Sequence, residues 1–174
     1  MGAEVIKVEP PGGGDDTRAW GPPFVGTDRD RGVRGDSAYF LSANRNKRGI
    51  AVNLKSPEGL EVVKRLLATA DVVTENYRKG TLEKLGLGWD VLRALNPRLV
   101  YCVVSGYGRT GPYADKGGFD LIAQGFSGLM SITGEPGGAP VKAGSPIADI
   151  NAGIFAALGI VSALHARHAT GRGQ

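Results

Sequence analysis

The feature that most constrains this chain is an alternation of short apolar runs and helical patterns between residues 50 and 105. Ile50-Ala-Val-Asn-Leu54, Asp71-Val-Val-Thr-Glu75 and Leu99-Val-Tyr-Cys-Val-Val-Ser105 each have strand length. Between the first two, Ser56-Pro57-Glu58 opens a helix. Serine caps it, proline fits its first turn and glutamate suits its positive end. Leu60, Val63, Leu66 and Leu67 then share one helical face. Between the second and third runs, Thr81 to Leu95 is mostly helical, broken near Gly86-Leu-Gly88 and ended by Asn96-Pro97. A β-α-β-α-β order predicts an α/β fold with a parallel sheet covered by helices.

The flanks are plainer. Glu4 to Val8 reads as a strand that Pro10-Pro-Gly-Gly-Gly14 stops. Asp15 to Asp36 is rich in Asp, Arg, Gly and Pro, and few regular elements are expected there. After the third strand come a loop from Gly106 to Gly118 and a helix from Phe119 to Met130. A second loop, Thr133 to Pro146, leads to a tightly packed helix from Ile150 to Leu164. The 174 residues suffice for one domain with a sizeable core. Twenty-eight glycines without a fixed period imply many tight turns. The chain stops on Thr170-Gly-Arg-Gly-Gln174, a polar exit rather than a domain end.

Several chemistries are disfavoured. The net charge is +4, with basic clusters at Arg45-Asn-Lys-Arg48 and Arg78-Lys79. These suit phosphate-bearing ligands or a solvated face. No helix reads as a basic recognition helix with interleaved aromatics, so no nucleic acid is expected. Cys102 is the only cysteine and sits in an apolar run, so a buried thiol is expected and no internal disulfide can form. The N-terminus shows no secretory pattern. The longest apolar stretch falls short of the roughly 20 residues a membrane span needs. A soluble, cytoplasmic protein without membrane contact is therefore expected.

Gly106-Tyr-Gly-Arg-Thr-Gly111 matches the first half of a dinucleotide fingerprint. Pro112 follows at once, and no helix opens at the third glycine to hold a pyrophosphate. NAD is therefore not expected, and no phosphate-loop motif is present. No metal is expected either: His165 and His168 suit the negative end of the last helix. One carboxylate stands out. Asp149 lies in Gly144-Ser-Pro-Ile-Ala-Asp-Ile-Asn-Ala-Gly153, between a glycine-rich loop and the last helix. The residues alone leave it as a helix cap or as a nucleophile at a pocket mouth.

A set of segments resembles the family III CoA-transferases, which include formyl-CoA transferase, carnitine CoA-transferase and bile-acid-inducible protein F. They are Gly2-Ala-Glu-Val-Ile-Lys-Val-Glu9 with Gly14-Asp-Asp-Thr-Arg18, then Asn44-Arg-Asn-Lys-Arg-Gly-Ile50 with Leu54-Lys-Ser-Pro-Glu-Gly59. Further on come Asp71-Val-Val-Thr-Glu-Asn-Tyr77, Leu95-Asn-Pro-Arg98, Ser105-Gly-Tyr-Gly108, Gly125-Phe-Ser-Gly-Leu-Met130 and Thr170-Gly-Arg-Gly-Gln174. The resemblance implies that residues 1–174 are part of the family's Rossmann-like large domain. It implies a strand and helix before this segment and a long remainder after it. It also implies an interlocked homodimer for the full-length protein.

The resemblance makes Asp149 the catalytic aspartate, which exchanges CoA between an acyl-CoA and a small carboxylic acid through a covalent aspartyl intermediate. It places coenzyme A against Val52, Leu54 and Lys55, against Asn76, Tyr77 and Arg78, and against Lys84. Gly117, Gly118, Phe119 and Asp120 complete the implied contacts. Lys55 and Lys84 would pair with phosphates and Tyr77 would pack on adenine. The related α-methylacyl-CoA racemases carry histidine in a Gly-His-Asp stretch where this chain has Phe119. A phenyl ring exchanges no protons, so transfer is favoured over racemisation. A non-catalytic truncated fragment is the remaining alternative.

Overall fold

A computed structural model describes every residue except Met1, Arg29 and Arg31. The chain divides into two compact units, Met1–Val63 and Lys64–Gln174.

The first unit opens with β1 (Ile6–Glu9) and a 3-10 turn, Asp16–Ala19. The two-residue strands β2 (Phe24–Val25) and β3 (Asp36–Ser37) then pair antiparallel. Regular structure is sparse from 15 to 36, as expected; Arg29 and Arg31 of that stretch lie outside the described residues. A helix that the sequence reading did not include follows, α1 (Ala38–Asn44). Ser37 caps it, accepting from the Phe40 amide at 3.0 Å while donating to the Thr17 carbonyl at 2.6 Å. β4 (Arg48–Ala51) pairs parallel with β1, Glu9 standing opposite Ala51. It begins and ends earlier than the expected 50–54 strand because Asn53 already turns the chain, its carbonyl accepting from the Ser56 amide at 3.1 Å.

Charge fastens this unit. Arg18 places Nε and Nη2 on the buried Glu9, each at 3.0 Å, and Nη1 on Asp36 at 3.0 Å. Its guanidinium lies 3.9 Å from the centre of the Phe40 ring. Hydrogen bonding from Arg18 outweighs burial and holds the Glu9 carboxyl below its ordinary range. Burial opposes ionisation of Asp15, yet its bonds from Lys7 and Thr17 prevail and hold it at about 2. A carboxyl depressed in the fold stabilises above its unfolded value of 3.8 and loses that contribution as pH falls towards 2. The full-length protein is therefore expected to lose up to about 2 kcal/mol across that window. Urea melts along an acid titration should show this limb, and Asp15→Asn should flatten it.

Across the division runs α2 (Pro57–Leu67), capped by Ser56, whose hydroxyl accepts from the Gly59 amide at 3.0 Å. Val63 and Leu67 are buried and Leu60 and Leu66 half-buried, so the expected face is the inner one. The second unit then contains β5 (Val72–Glu75), α3 (Thr81–Lys84), α4 (Trp89–Leu95) and β6 (Val100–Val103). β5 and β6 pair parallel, with Glu75 opposite Val103. Leu82, Leu87, Leu92, Leu99 and Val100 form the core beneath them. Asn96 ends α4 and ties it down, its amide donating to the Leu67 and Ala70 carbonyls at 3.0 and 2.8 Å. The expected parallel pairing with flanking helices is present. The strands form two parallel pairs, β1 with β4 in the first unit and β5 with β6 in the second, rather than the expected single sheet.

The helix expected from Phe119 to Met130 is α5 (Asp120–Phe126) followed by a 3-10 turn, Leu129–Ile132. Gly128, at φ 81°, breaks it. The last helix, α6 (Ile147–Thr170), has 24 residues and overruns the expected 150–164 at both ends. It is long and apolar enough, by length and composition, to cross a membrane, which corrects the expectation that no stretch reaches that length. The helix carries straight through Asp149, Asn151 and His165, so its apolar length exceeds the run of 150–164. Ile154, Phe155, Leu158 and Val161 are all exposed along it. Its far end is tied to the sheet: Arg167 donates to the Arg98 carbonyl at 2.8 Å and to Asp71 Oδ1 at 2.7 Å.

Candidate active site

Asp149 sits in the first turn of α6 and is not its cap. The cap position is Pro146, which offers no side-chain acceptor. The acceptor arrives from another helix. Asp120, first residue of α5, places Oδ1 2.8 Å from the Ala148 amide and 3.3 Å from the Asp149 amide. Its Oδ2 accepts from Gln124 Nε2 at 2.6 Å. Gln124 is 1% exposed, and its Oε1 accepts from the Ala143 amide at 2.8 Å. The Asp149 carboxylate is exposed and accepts no hydrogen bond among the described residues. Partial shielding by the protein, and then the Asp120 charge, push its pKa up. An aspartate at a helix start is ordinarily favoured as the anion. Here shielding by the protein, with the Asp120 carboxylate engaging those amides, reverses the effect on Asp149.

A second group of the expected residues gathers where β5 and β6 end. Asn76 donates its amide to the Val104 carbonyl at 2.6 Å, fastening the turn after β5 to the end of β6. Two residues on, Gly106 crosses Gly118 so closely that a Cβ on either would lie 2.5 Å from the other's Cα. The Arg78 guanidinium lies alongside Gly117, 3.7 Å from where a Cβ would stand. The fold thus links Asn76 and Arg78 through Gly117 and Gly118 to Asp120, and through Asp120 to Asp149. Gly106, the first glycine of the apparent dinucleotide motif, serves this backbone crossing, and Gly111 opens a turn with the Ala114 amide on its carbonyl at 3.2 Å. Gly118→Ala should force the backbones apart at a cost of about 1–3 kcal/mol. A thermal melt of the full-length variant should fall by several degrees, and an unchanged melt would deny the crossing any role.

The remaining expected residues are more scattered. Val52 is buried beyond β4, its amide donating to the Glu9 carbonyl at 2.9 Å. Leu54 is half-buried and Lys55 exposed in the turn that enters α2, all within the first unit. Tyr77 and Lys84 are exposed in the second. Phe119 is the cap residue of α5, at the expected helix start, and is 78% exposed. Cys102 is half-buried rather than fully enclosed, and burial followed by the Glu75 charge pushes its thiol up.

Sequence reading missed the group that shapes the turn after β5. Glu75 is buried at the end of that strand and accepts from the Tyr101 hydroxyl at 2.9 Å, from Arg109 and from the Tyr77 amide. Burial and the adjoining Glu75 carboxylate push the Tyr101 phenol well above its ordinary range. Tyr101 also stacks on Trp89, ring centres 5.9 Å apart. The only sequence signal was a glutamate ending an apolar run. Among the described residues no group of three or more His, Cys, Asp or Glu side chains is arranged to hold a metal ion.

Residues 1–174 match the family model described as CoA-transferase family III. A succinate–glutarate CoA-transferase of Agrobacterium fabrum is 55% identical over 174 residues, which is 100% of this chain and 43% of that protein. The human succinyl-CoA:glutarate CoA-transferase is 47% identical, covering 99% of this chain and 38% of its own. The chain spans less than half the length of these curated relatives. Among solved structures, a CAIB/BAIF family protein from Brucella suis has a TM-score of 0.93 at 49% identity, over 100% of this chain and 45% of that one. A Mycobacterium tuberculosis structure has a TM-score of 0.87 at 36% identity, over 100% of this chain and 46% of that one.

Proposed function

The chain belongs to CoA-transferase family III, and from that premise we propose that the protein moves CoA from an acyl-CoA thioester to a free carboxylic acid, with Asp149 as nucleophile. The observation that carries this reading is the Asp149 carboxylate itself: exposed, without a hydrogen-bond donor among the described residues, and raised in pKa at the start of a rigid helix. A carboxylate held for structure alone would be expected to sit in a network like that of Glu9 or Glu75.

In the proposed reaction a carboxylate oxygen of Asp149 attacks the thioester carbonyl. The carbon–sulfur bond breaks, leaving a mixed anhydride and the CoA thiolate. The thiolate attacks the aspartyl carbonyl, giving an aspartyl-CoA thioester and releasing the donor acid. The acceptor carboxylate repeats the sequence in reverse, and Asp149 returns as a free carboxylate. Each attack builds an oxyanion that needs donors nearby. The Ala148 and Asp149 amides are already engaged by Asp120, so those donors come from other groups.

Coenzyme A is assigned to Val52, Leu54 and Lys55, to Asn76, Tyr77, Arg78 and Lys84, and to the Gly117–Asp120 stretch. The turn fastened by Asn76 lies at the carboxyl end of a parallel pair, where open α/β sheets take ligands. Exposed Lys55, Arg78 and Lys84 are available for phosphates. The relatives' names favour succinyl-CoA as donor and a short dicarboxylate as acceptor. We place the protein in the cytoplasm as a homodimer. α6 belongs to the folded enzyme in this reading, since it carries the nucleophile at one end and is tied to the sheet at the other.

The test is to incubate full-length protein with succinyl-CoA and glutarate and follow glutaryl-CoA, with a parallel measurement of α-proton exchange in deuterated water. Transfer without exchange is expected. Exchange of a branched acyl-CoA without transfer would favour the racemase reading, against which Phe119 argues because it supplies no second base.

A further inference from the structure

Four atoms of the α5–α6 junction leave little freedom in how it is wired. The Ala143 amide can only donate, so the Gln124 atom facing it is Oε1. That orientation turns Nε2 onto Asp120 Oδ2 and leaves Oδ1 for the α6 amides. Gln124 is almost fully buried, with both ends of its amide in use. The loop before α6, the start of α5 and the first turn of α6 are therefore joined through one carboxylate.

We propose that Asp120 and Gln124 are positioning residues for the Asp149 nucleophile, locking the first turn of α6 and occupying its amide donors with the Asp120 carboxylate. This rests on Asp149 being the nucleophile. A carboxylate at a free helix start is stabilised as the anion and is correspondingly a poorer nucleophile. With Asp120 bonded to the same amides, Asp149 keeps its basicity, and the raised pKa agrees in direction. The rigid amide network also keeps the attacking oxygen from wandering, and a misplacement of about 1 Å can cost about a hundredfold in rate.

After shielding by the protein, Asp120 is the charge that bears on Asp149. It is the sole ionisable residue of α5, while β6, which also packs on α6, carries Tyr101 and Cys102. In the preceding loop, Lys142 has its ammonium 3.5 Å from the Ala143 carbonyl. On α6 itself the other charged or titratable groups are His165, Arg167 and His168, roughly 24 Å or more along by helix rise.

The experiment uses full-length Asp120→Asn and Gln124→Ala. Two readouts are taken: transfer kcat, and the pH midpoint for carbodiimide labelling of Asp149, followed by peptide mass spectrometry without turnover. For Asp120→Asn the labelling midpoint should move to lower pH and kcat should fall by roughly ten- to a hundredfold. Gln124→Ala keeps the charge, so its kcat should fall with a smaller change in midpoint. An Asp120→Asn protein with the parent midpoint, whatever its kcat, overturns the proposal, because a purely structural role would slow turnover without changing the titration. Should that variant fail to fold by circular dichroism, a Gln124→Ala protein with parent kcat overturns it instead. Undiminished transfer by Asp149→Asn would refute the functional reading and, with it, the nucleophile that Asp120 is proposed to position; the labelling midpoint would still report whether Asp120 tunes that carboxyl.

Discussion

Asp149→Asn in the full-length protein lowers CoA transfer from succinyl-CoA to glutarate by at least about a thousandfold, the scale expected when a covalent nucleophile is lost. The amide is nearly isosteric but lacks the anionic oxygen that must attack the thioester. The fold has no stake in that oxygen, since it accepts no hydrogen bond among the described residues. Stability at neutral pH should accordingly be unchanged or slightly higher, because a carboxyl with a raised pKa opposes folding once it ionises. Functional sites commonly carry a stability cost of this sign. Initial rates and a thermal melt check both halves. Hydroxylamine added with succinyl-CoA should convert Asp149 to a hydroxamate in the parent and leave the variant unmodified. A variant within a few-fold of the parent rate would end the assignment of Asp149.

Glu75→Ala is expected to have the largest effect on stability, about 3–5 kcal/mol, the range for breaking a buried ion pair by removing one partner. Glu75 has a side chain 4% exposed and serves Tyr101, Arg109 and the Tyr77 amide together. Without it the Arg109 guanidinium, whose Nε is buried with no partner among the described residues, loses its counter-charge. The Tyr77 amide loses its acceptor as well, and the turn leading to Arg78 loosens. Urea unfolding should show the loss, and the KM for acyl-CoA should rise in whatever protein remains folded. Glu75→Gln keeps an acceptor for Tyr101 but not the charge for Arg109, so it should lie between. A loss under about 1 kcal/mol for Glu75→Ala would show that the network contributes little.

Local signals were legible where one short segment held the whole cause. Ser56-Pro57-Glu58 started α2 where expected, because cap, first turn and dipole charge are adjacent in the chain. Gly86-Leu-Gly88 divided α3 from α4 for the same reason. α1 was missed although Ser37 caps it, since a seven-residue helix shows too few turns for periodicity to stand out. The limits of β4 were misjudged because its partner β1 lies 42 positions earlier and fixes where pairing stops.

The candidate site divides along the same line. Residue chemistry and the resemblance singled out Asp149 and the Gly117–Asp120 stretch, and both lie at one junction of the second unit. Whether Asp149 caps its helix was open in the sequence and is decided by Asp120, which reaches the α6 amides from 28 and 29 positions earlier. The sequence alone determined the strand–helix alternation from β4 to β6, the start of α2 and the identity of the exposed acid, since each depends on neighbours along the chain. The tertiary structure alone decided that Asp120 and Gln124 hold the α6 start, that Glu75 anchors the Tyr77 turn and that Gly106 serves a backbone crossing. Those outcomes depend on hydrogen bonds and close contacts between residues far apart in sequence, which no local pattern encodes.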